Sequence, residues 1–161
     1  MLEYNLMKLI HALAAVAATG PLLFAPWLSW RLQSCQQNTE KQLLLSGLTI
    51  TDRFYNIAGW LLMISGAVML WMEDWHRLFQ LWFVLSVALF VIDSIAEKKW
   101  RDPATTAIDT TTPGASGWQQ HTTRLHRAVL TQMGSTSLIL LVMLLHNQLT
   151  TSLLSLTQFI R

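Results

Sequence analysis

Four long blocks of apolar residues alternate with polar connections along the chain. The blocks cover residues 9–30, 54–72, 76–96 and 125–146. Each has about the length that an α-helix needs to cross the hydrocarbon core of a bilayer, roughly 20 residues at about 1.5 Å each. The pattern therefore predicts an all-α fold, a four-helix antiparallel transmembrane bundle. We expect one integral membrane domain, 1–161, with the lipid bilayer as its surroundings.

The connections between the blocks differ in length and composition. Only 73–75 separates the second block from the third, so these two helices are predicted to form a hairpin of neighbours. Residues 33–53 are predicted to be a polar connection with a short interfacial turn. Segment 97–123, rich in Thr, Pro, Gly and Ser, is typical of an exposed, partly disordered loop. The tail 147–161 is amphipathic and is expected to lie in the outer membrane interface.

The first block has a second interpretation, as a secretory signal peptide. Ala15, Val16 and Ala17 resemble the small-residue cleavage site of such a segment. The apolar run nevertheless continues to Trp30, and Lys8 is the one basic residue that flanks it. A retained membrane helix is therefore the favoured interpretation.

Composition agrees with a membrane protein, since 52% of the residues are hydrophobic and 12% are charged. A typical soluble domain carries about 25% charged residues. The net charge of +2 does not indicate nucleic acid binding, because the basic residues lie beside the apolar blocks and form no stripe. The single cysteine, Cys35, excludes a disulfide framework and a multi-cysteine metal site.

Sequence motifs of soluble enzymes are missing. The chain has no nucleotide-binding glycine loop, no HExxH, no CxxCH and no arrangement of Ser, His and Asp that suggests a hydrolase. If the protein is an enzyme, we expect a membrane oxidoreductase.

Lysine and arginine are shared unequally between the two sides of the predicted bundle. Three of the 11 basic residues, Lys8, Arg77 and Arg161, lie on the side of the termini. The other eight lie on the side of the first and third connections: Arg31, Lys41, Arg53, Lys98, Lys99, Arg101, Arg124 and Arg127. Because basic connections stay in the cytoplasm, both termini are expected outside it.

This topology brings three of the five histidines, His11, His76 and His146, to the outer end. Neutral imidazole binds haem iron and copper, and helix bundles hold cofactors between facing helices. His11 and His146 are therefore candidate haem ligands, and all three are candidate metal ligands. Alternatively, His76 and His146 only mark helix ends.

His11 is the deepest of these histidines. An unpaired polar group in hydrocarbon costs roughly 2 to 7 kcal/mol, so His11 is expected to have a polar partner. That partner is predicted to be one of the other two histidines through a metal, or a carbonyl freed by a proline kink.

Asp93 is a second polar residue inside a predicted span, near its cytoplasmic end. Carboxylates within membranes usually pair with a cation. Arg127 approaches from the same side, so a structural ion pair between Asp93 and Arg127 is predicted. A proton or substrate path through Asp93 is the alternative.

One stretch resembles a known family. The run MKLIHALAAVAATGPLLFAPWLSWRL, with Lys8, His11, Gly20 and Pro26, looks like the first helix of an uncharacterised family of small four-helix bacterial inner-membrane proteins. That family is distantly similar to the copper-resistance D domain and to HemJ-type protoporphyrinogen oxidases. The resemblance implies a place in the bacterial inner membrane and haem b bound by His11. Trp27 occupies the position where those oxidases have an arginine. His11 is therefore the one functional residue of that family that the resemblance implies for this chain.

Three functions are compatible with these sequence features. The first is a haem- or metal-binding membrane protein with a redox-linked role. The second is a non-catalytic accessory or assembly subunit of a larger membrane complex, packed through the small residues Gly59, Gly66, Gly134 and Ser137. The third is a transporter of a metal ion or small solute, which requires a homo-oligomer because four helices enclose little space.

Overall fold

The computed structural model describes residues 2–73 and 75–145, apart from the side chains of Leu2, Leu22, His76 and Arg77. This part of the chain is helical and contains no strand, so the predicted all-α class is confirmed. Its α-helices are α1 Leu2–Gln33, α2 Asn38–Met72, α3 Leu81–Ala96, α4 Asp102–Thr110 and α5 Trp118–Leu144. A 3₁₀ turn, His76–Phe79, precedes α3, and a π turn, Glu97–Arg101, joins α3 to α4.

Helices α1 and α2 pack along one another and are joined by the short connection 34–37. Leu28 of α1 lies against Gly47 of α2, and His11 lies against Gly66. The C-terminal part of α1 therefore contacts the N-terminal part of α2, and the N-terminal part of α1 contacts the C-terminal part of α2. The two helices are antiparallel. The buried residues of α1 share one face at helical spacing: Ala14, Ala18, Ala25, Ser29 and Leu32.

Helix α5 packs along both α1 and α3. Its buried side chains recur every three or four residues, as one face of a helix requires. They include Trp118, Thr122, Leu125, Val129, Gln132 and Thr136. Helix α3 packs mainly along α5, and it meets α2 at a hydrogen bond between Tyr55 and Asp93, so the predicted neighbour α2 is not its main contact.

Both long connections predicted from the sequence are largely helical. Helix α2 begins at Asn38, so it includes most of 33–53. The predicted loop 97–123 contains the π turn, α4 and the start of α5, and only 111–117 is irregular. The prediction of an exposed, partly disordered loop is therefore wrong.

A buried lysine explains why α4 forms in a Thr-rich segment. Nζ of Lys41, on α2, donates to the carbonyl oxygens of Ile108, Asp109 and Thr111 at 3.3, 2.8 and 3.1 Å. These carbonyls end α4, where intrahelical donors are missing and a cation is favourable. Ile108 and Ala104 are buried one turn apart. This contact is distant in sequence, so local composition could not predict it.

Helices α1, α2 and α5 are long and apolar enough to cross a membrane. Helix α3 has 16 residues and is shorter than the other three. Large apolar side chains on these helices point outward, for example Leu23, Phe24, Trp60 and Ile64, each more than half exposed. Such outward-facing apolar surface is compatible with a membrane protein.

A hydrophobic core gathers at the end of the molecule where α4 packs on α5. Its members come from four helices and the first connection: Ala25, Leu32, Cys35, Leu44, Leu45, Leu48, Ala104, Ile108, Trp118, Leu125 and Val129. We call this the Trp118 end. The opposite end, where α1 and α2 meet around His11, is called the His11 end.

Candidate functional site

His11 has a polar partner on the neighbouring helix. Its Nδ1 lies 2.8 Å from Oγ of Ser65, and its ring lies against Gly66. The expected need for a polar partner agrees with this contact. The partner differs from both predicted candidates, since it is a serine hydroxyl on α2.

The hydrogen bonds of Ser65 indicate which nitrogen of the His11 ring carries the proton. Oγ of Ser65 lies 2.6 Å from the carbonyl oxygen of Leu61 and 3.2 Å from that of Leu62. Because a hydroxyl has one proton, which goes to these carbonyls, Ser65 accepts from His11. Nδ1 then carries the proton of the neutral ring, and Nε2 keeps a lone pair. The backbone of Leu62 also lies within hydrogen-bond reach of the ring.

A second histidine is held in the same way near the Trp118 end. Nδ1 of His126 lies 2.9 Å from Oγ of Ser29, and that hydroxyl donates to the carbonyl oxygen of Pro26 at 3.0 Å. This pair joins α5 to α1, as the His11 pair joins α1 to α2. It therefore offers a matched control for experiments on His11.

A buried arginine connects three helices between the two ends. Arg101, in the π turn, is 4% exposed and pairs with Asp52 of α2. It also donates to Oε1 of Gln132 on α5. Burial raises the pKa of the nearby Glu97 carboxyl, and the Arg101 guanidinium acts in the opposite direction. Single π turns inside helices are frequent at functional sites.

Asp93 belongs to the same polar group. Its Oδ2 accepts a hydrogen bond of 3.1 Å from the hydroxyl of Tyr55, which lies 2.8 Å from Oγ1 of Thr136. Oδ1 of Asp93 and Nε2 of Gln132 are buried without a hydrogen-bond partner in the described structure. We call these side chains the Arg101 cluster: Asp52, Tyr55, Asp93, Arg101, Gln132 and Thr136.

A cavity of about 20 Å³ adjoins the Arg101 cluster. Pro21 and Pro26 of α1 line one side of it, and Asp52, Arg101 and Gln132 line the other. A cavity of this size has room for about one water molecule.

No family model, curated protein or solved structure matches the chain. The resemblance of the first helix therefore stays a prediction, and function rests on the geometry described above.

The structure separates the predicted ion pair. No salt bridge joins Asp93 to Arg127 among the described residues. Asp93 faces Tyr55, and Arg127 lines an open groove with Trp100. The buried ion pair joins Arg101 to Asp52 instead.

The predicted histidine set is described only at His11. His146 and the tail 147–161 lie outside the described residues, as does the side chain of His76. Over the residues that are described, no three His, Cys, Asp or Glu side chains are grouped as metal ligands would be.

Sequence reasoning missed most of the Arg101 cluster. Arg101 lies in the segment 97–123, whose Thr-, Pro-, Gly- and Ser-rich composition predicts an exposed loop. Gln132 and Thr136 carried a usable signal, since they continue the buried face of α5 at the same spacing as Leu125 and Val129. A polar side chain on the buried face of a predicted span indicates an internal polar contact.

Proposed function

We propose that this protein is an integral membrane protein of the bacterial inner membrane, a four-helix antiparallel bundle with both termini in the periplasm. Three helices of sufficient length and apolar character support the membrane location. Helix α3 would be the fourth span, lengthened by its flanking turns. The excess of basic residues near the Trp118 end supports the orientation.

Within that protein, we propose His11 as the ligand of a haem b or a metal ion with a redox-linked role. The observation that carries this is the hydrogen bond from Nδ1 of His11 to Ser65, which fixes the ring in the tautomer whose Nε2 has the lone pair that a metal needs. Histidines that ligate metals donate their other ring nitrogen to a fixed acceptor in this way. When bound, the iron or metal would supply electron transfer. A second ligand is expected from His76 or His146.

A visible spectrum of the purified protein tests this proposal. After expression with sufficient haem, the wild-type chain should show a Soret band, and His11→Ala should abolish it. Ser65→Ala should weaken or shift the band, because it frees the ring to rotate. The matched control is His126→Ala, which removes an equivalent histidine–serine pair and should leave the band unchanged.

Two results would overturn the cofactor proposal. One is pure, folded wild-type protein without visible absorbance and without bound metal by elemental analysis. The other is equal loss of the band in His11→Ala and His126→Ala, because that would indicate a general folding defect.

A second candidate function is an accessory or assembly subunit of a larger membrane complex. Gly59 and Gly134 have no atom of the described chain within 4 Å of the point where a Cβ would lie. Small residues on open helix faces let another helix approach closely. Mild solubilisation should then yield a complex, and Gly134→Leu should disrupt it. A single copy that purifies without a partner would contradict this alternative.

A further inference from the structure

An open groove of about 570 Å³ lies beside α5 near the Trp118 end. Its lining is rich in hydrogen-bond donors and contains no carboxylate: Trp100, Gln119, Gln120, Thr123, Arg124, Arg127, Ala128 and Thr131. This groove has no role in the function proposed above, and its composition points to an anionic ligand.

The two arginines of the groove differ from Arg31 and Arg101, which form ion pairs. Arg31 pairs with Glu40, and Arg101 pairs with Asp52. Arg124 and Arg127 are exposed, and neither side chain forms an ion pair or hydrogen bond within the described part of the chain. They lie three residues apart on α5, so both guanidinium groups face the groove. Guanidinium groups bind phosphate oxygens with paired hydrogen bonds.

The groove continues into an apolar stripe on the same face of α5. The exposed residues of that face follow Arg127 at helical spacing: Leu130, Thr131, Gly134, Leu138, Leu141 and Leu145. A free phosphate would occupy only the polar part of this surface. A phospholipid would occupy both, with its phosphate at the arginines and its acyl chains along the leucines.

The dimensions agree with this ligand. One leaflet contributes about 15 Å of hydrocarbon, half of the roughly 30 Å core. At about 1.5 Å per residue, an acyl chain that begins near Arg127 extends about ten residues, to Leu138. Gly134, open to the outside, leaves a notch in the stripe between them. Trp100 lies at the polar end, where an indole ring suits the headgroup region.

We propose that this groove binds an anionic phospholipid, with Arg124 and Arg127 on its phosphate and Leu130 and Leu138 along its acyl chains. The inference rests on the membrane location proposed above and is independent of a cofactor at His11. Basic surfaces at the cytoplasmic side of membrane helices attract anionic headgroups, and each arginine contributes roughly a fivefold gain in affinity.

Native mass spectrometry of the full chain in detergent tests the proposal. The protein is titrated with phosphatidylglycerol, with phosphatidylcholine and with inorganic phosphate. We expect wild-type protein to prefer phosphatidylglycerol. Arg127→Gln should lower that affinity roughly fivefold, and Arg124→Gln with Arg127→Gln roughly 25-fold. Leu138→Gln should also lower it.

The control variant is Arg53→Gln, which removes an exposed arginine of α2 that lies outside the groove. It should bind phosphatidylglycerol like the wild type. Circular dichroism of each variant shows whether the fold is kept. If a variant fails to fold, the affinities of the wild-type protein for the three ligands still test whether the groove prefers an anionic phospholipid.

Several outcomes would overturn the proposal. Equal affinity for the two lipids, or for the double variant and the control, would exclude a headgroup site. Competition by inorganic phosphate at equal affinity would indicate a soluble-anion site. If the wild-type protein is a dimer and the double variant is a monomer, the groove is an interface between two copies of the chain. Release of the protein from membranes by alkaline carbonate would contradict the membrane location itself, whereas retention without lipid preference would contradict only this inference.

Discussion

The two ends of the molecule bury different kinds of side chain. At the His11 end, the buried residues of α1 and α2 are small except for Leu70: Ala14, Ala18, Ala58 and Ser65. At the Trp118 end they are large, and Leu32, Ile108 and Leu125 are fully buried. The same two helices, α1 and α2, contribute to both ends. Their packing therefore changes along their length.

This difference matches two surroundings. In lipid, large apolar side chains gain nothing by leaving the hydrocarbon, so small residues bring helices together. In water, burial of large apolar side chains drives folding. We interpret the His11 end as the part in the bilayer, and the Trp118 end as a cap with the core of a soluble protein.

The largest effect is expected at Arg101, which lies between the two ends. Arg101→Met leaves the partly buried Asp52 without its cation and the buried Gln132 without its donor, and should lower the free energy of unfolding by about 3 to 5 kcal/mol. Unfolding by SDS, followed by tryptophan fluorescence, measures it. Adding Asp52→Leu should recover at least half of the loss. If Arg101→Met unfolds like the exposed control Arg53→Met, the buried ion pair is not structural.

Removal of apolar volume should damage one end only. Ile108→Ala, in the core of the Trp118 end, should lower the free energy of unfolding by about 2 to 5 kcal/mol. Ile64→Ala, exposed at the other end, should change it by about 0.5 kcal/mol or less. Equal losses in the two variants, measured in the same detergent, would remove the contrast between the ends.

The third prediction concerns the lysine that holds α4. Lys41→Met keeps the apolar stem but removes three hydrogen bonds to carbonyls, so the free energy of unfolding should fall by about 1.5 to 3 kcal/mol. Hydrogen exchange should accelerate in α4 and stay unchanged around His11. Lys98→Met, at an exposed position in the adjacent π turn, is the control. Unchanged exchange in α4 would show that Lys41 does not hold it.

The smallest effect is expected from added volume at the His11 end. Ala14→Leu places a large side chain between packed helices and should lower the free energy of unfolding by about 1 to 3 kcal/mol. Ala12→Leu, two residues away on the exposed face, should be neutral. A neutral Ala14→Leu would mean that small residues are not needed for this contact.

The sequence predicted the helical class and the long apolar helices, because their periodicity is local. It failed at α4, since Thr-rich composition suggested a loop while the stabilising Lys41 lies far away in the chain. It also failed at the start of α2, because polar residues between 38 and 53 belong to a helix whose other face is buried. Local sequence patterns predict which segments are apolar helices, but they do not show which residues far apart in the chain contact one another.

At the candidate site, too, the sequence predicted local features but not contacts between helices. A partner for His11 followed from the energetic cost of an unpaired imidazole, yet the identity of Ser65 depends on how α1 and α2 align. Asp93 was recognised as a polar residue within a span, and its contact with Tyr55 depends on helix rotation. Arg101 was missed because a π turn directs it inward from a run of charged residues.

The most direct test of the two surroundings uses α2. Its 35 residues extend about 52 Å, well beyond the roughly 30 Å of hydrocarbon. In a Cys35→Ser background, nitroxide labels are placed at the exposed positions 43, 57 and 64, one per variant, in lipid vesicles. Electron paramagnetic resonance then compares collisions with oxygen and with a water-soluble nickel complex.

We predict that the labels replacing Ile57 and Ile64 collide mainly with oxygen, which concentrates in hydrocarbon. The label replacing Leu43, at the Trp118 end, should collide mainly with the nickel complex. Equal access of the nickel complex to all three positions would contradict the claim that the His11 end lies in the bilayer and the Trp118 end in water.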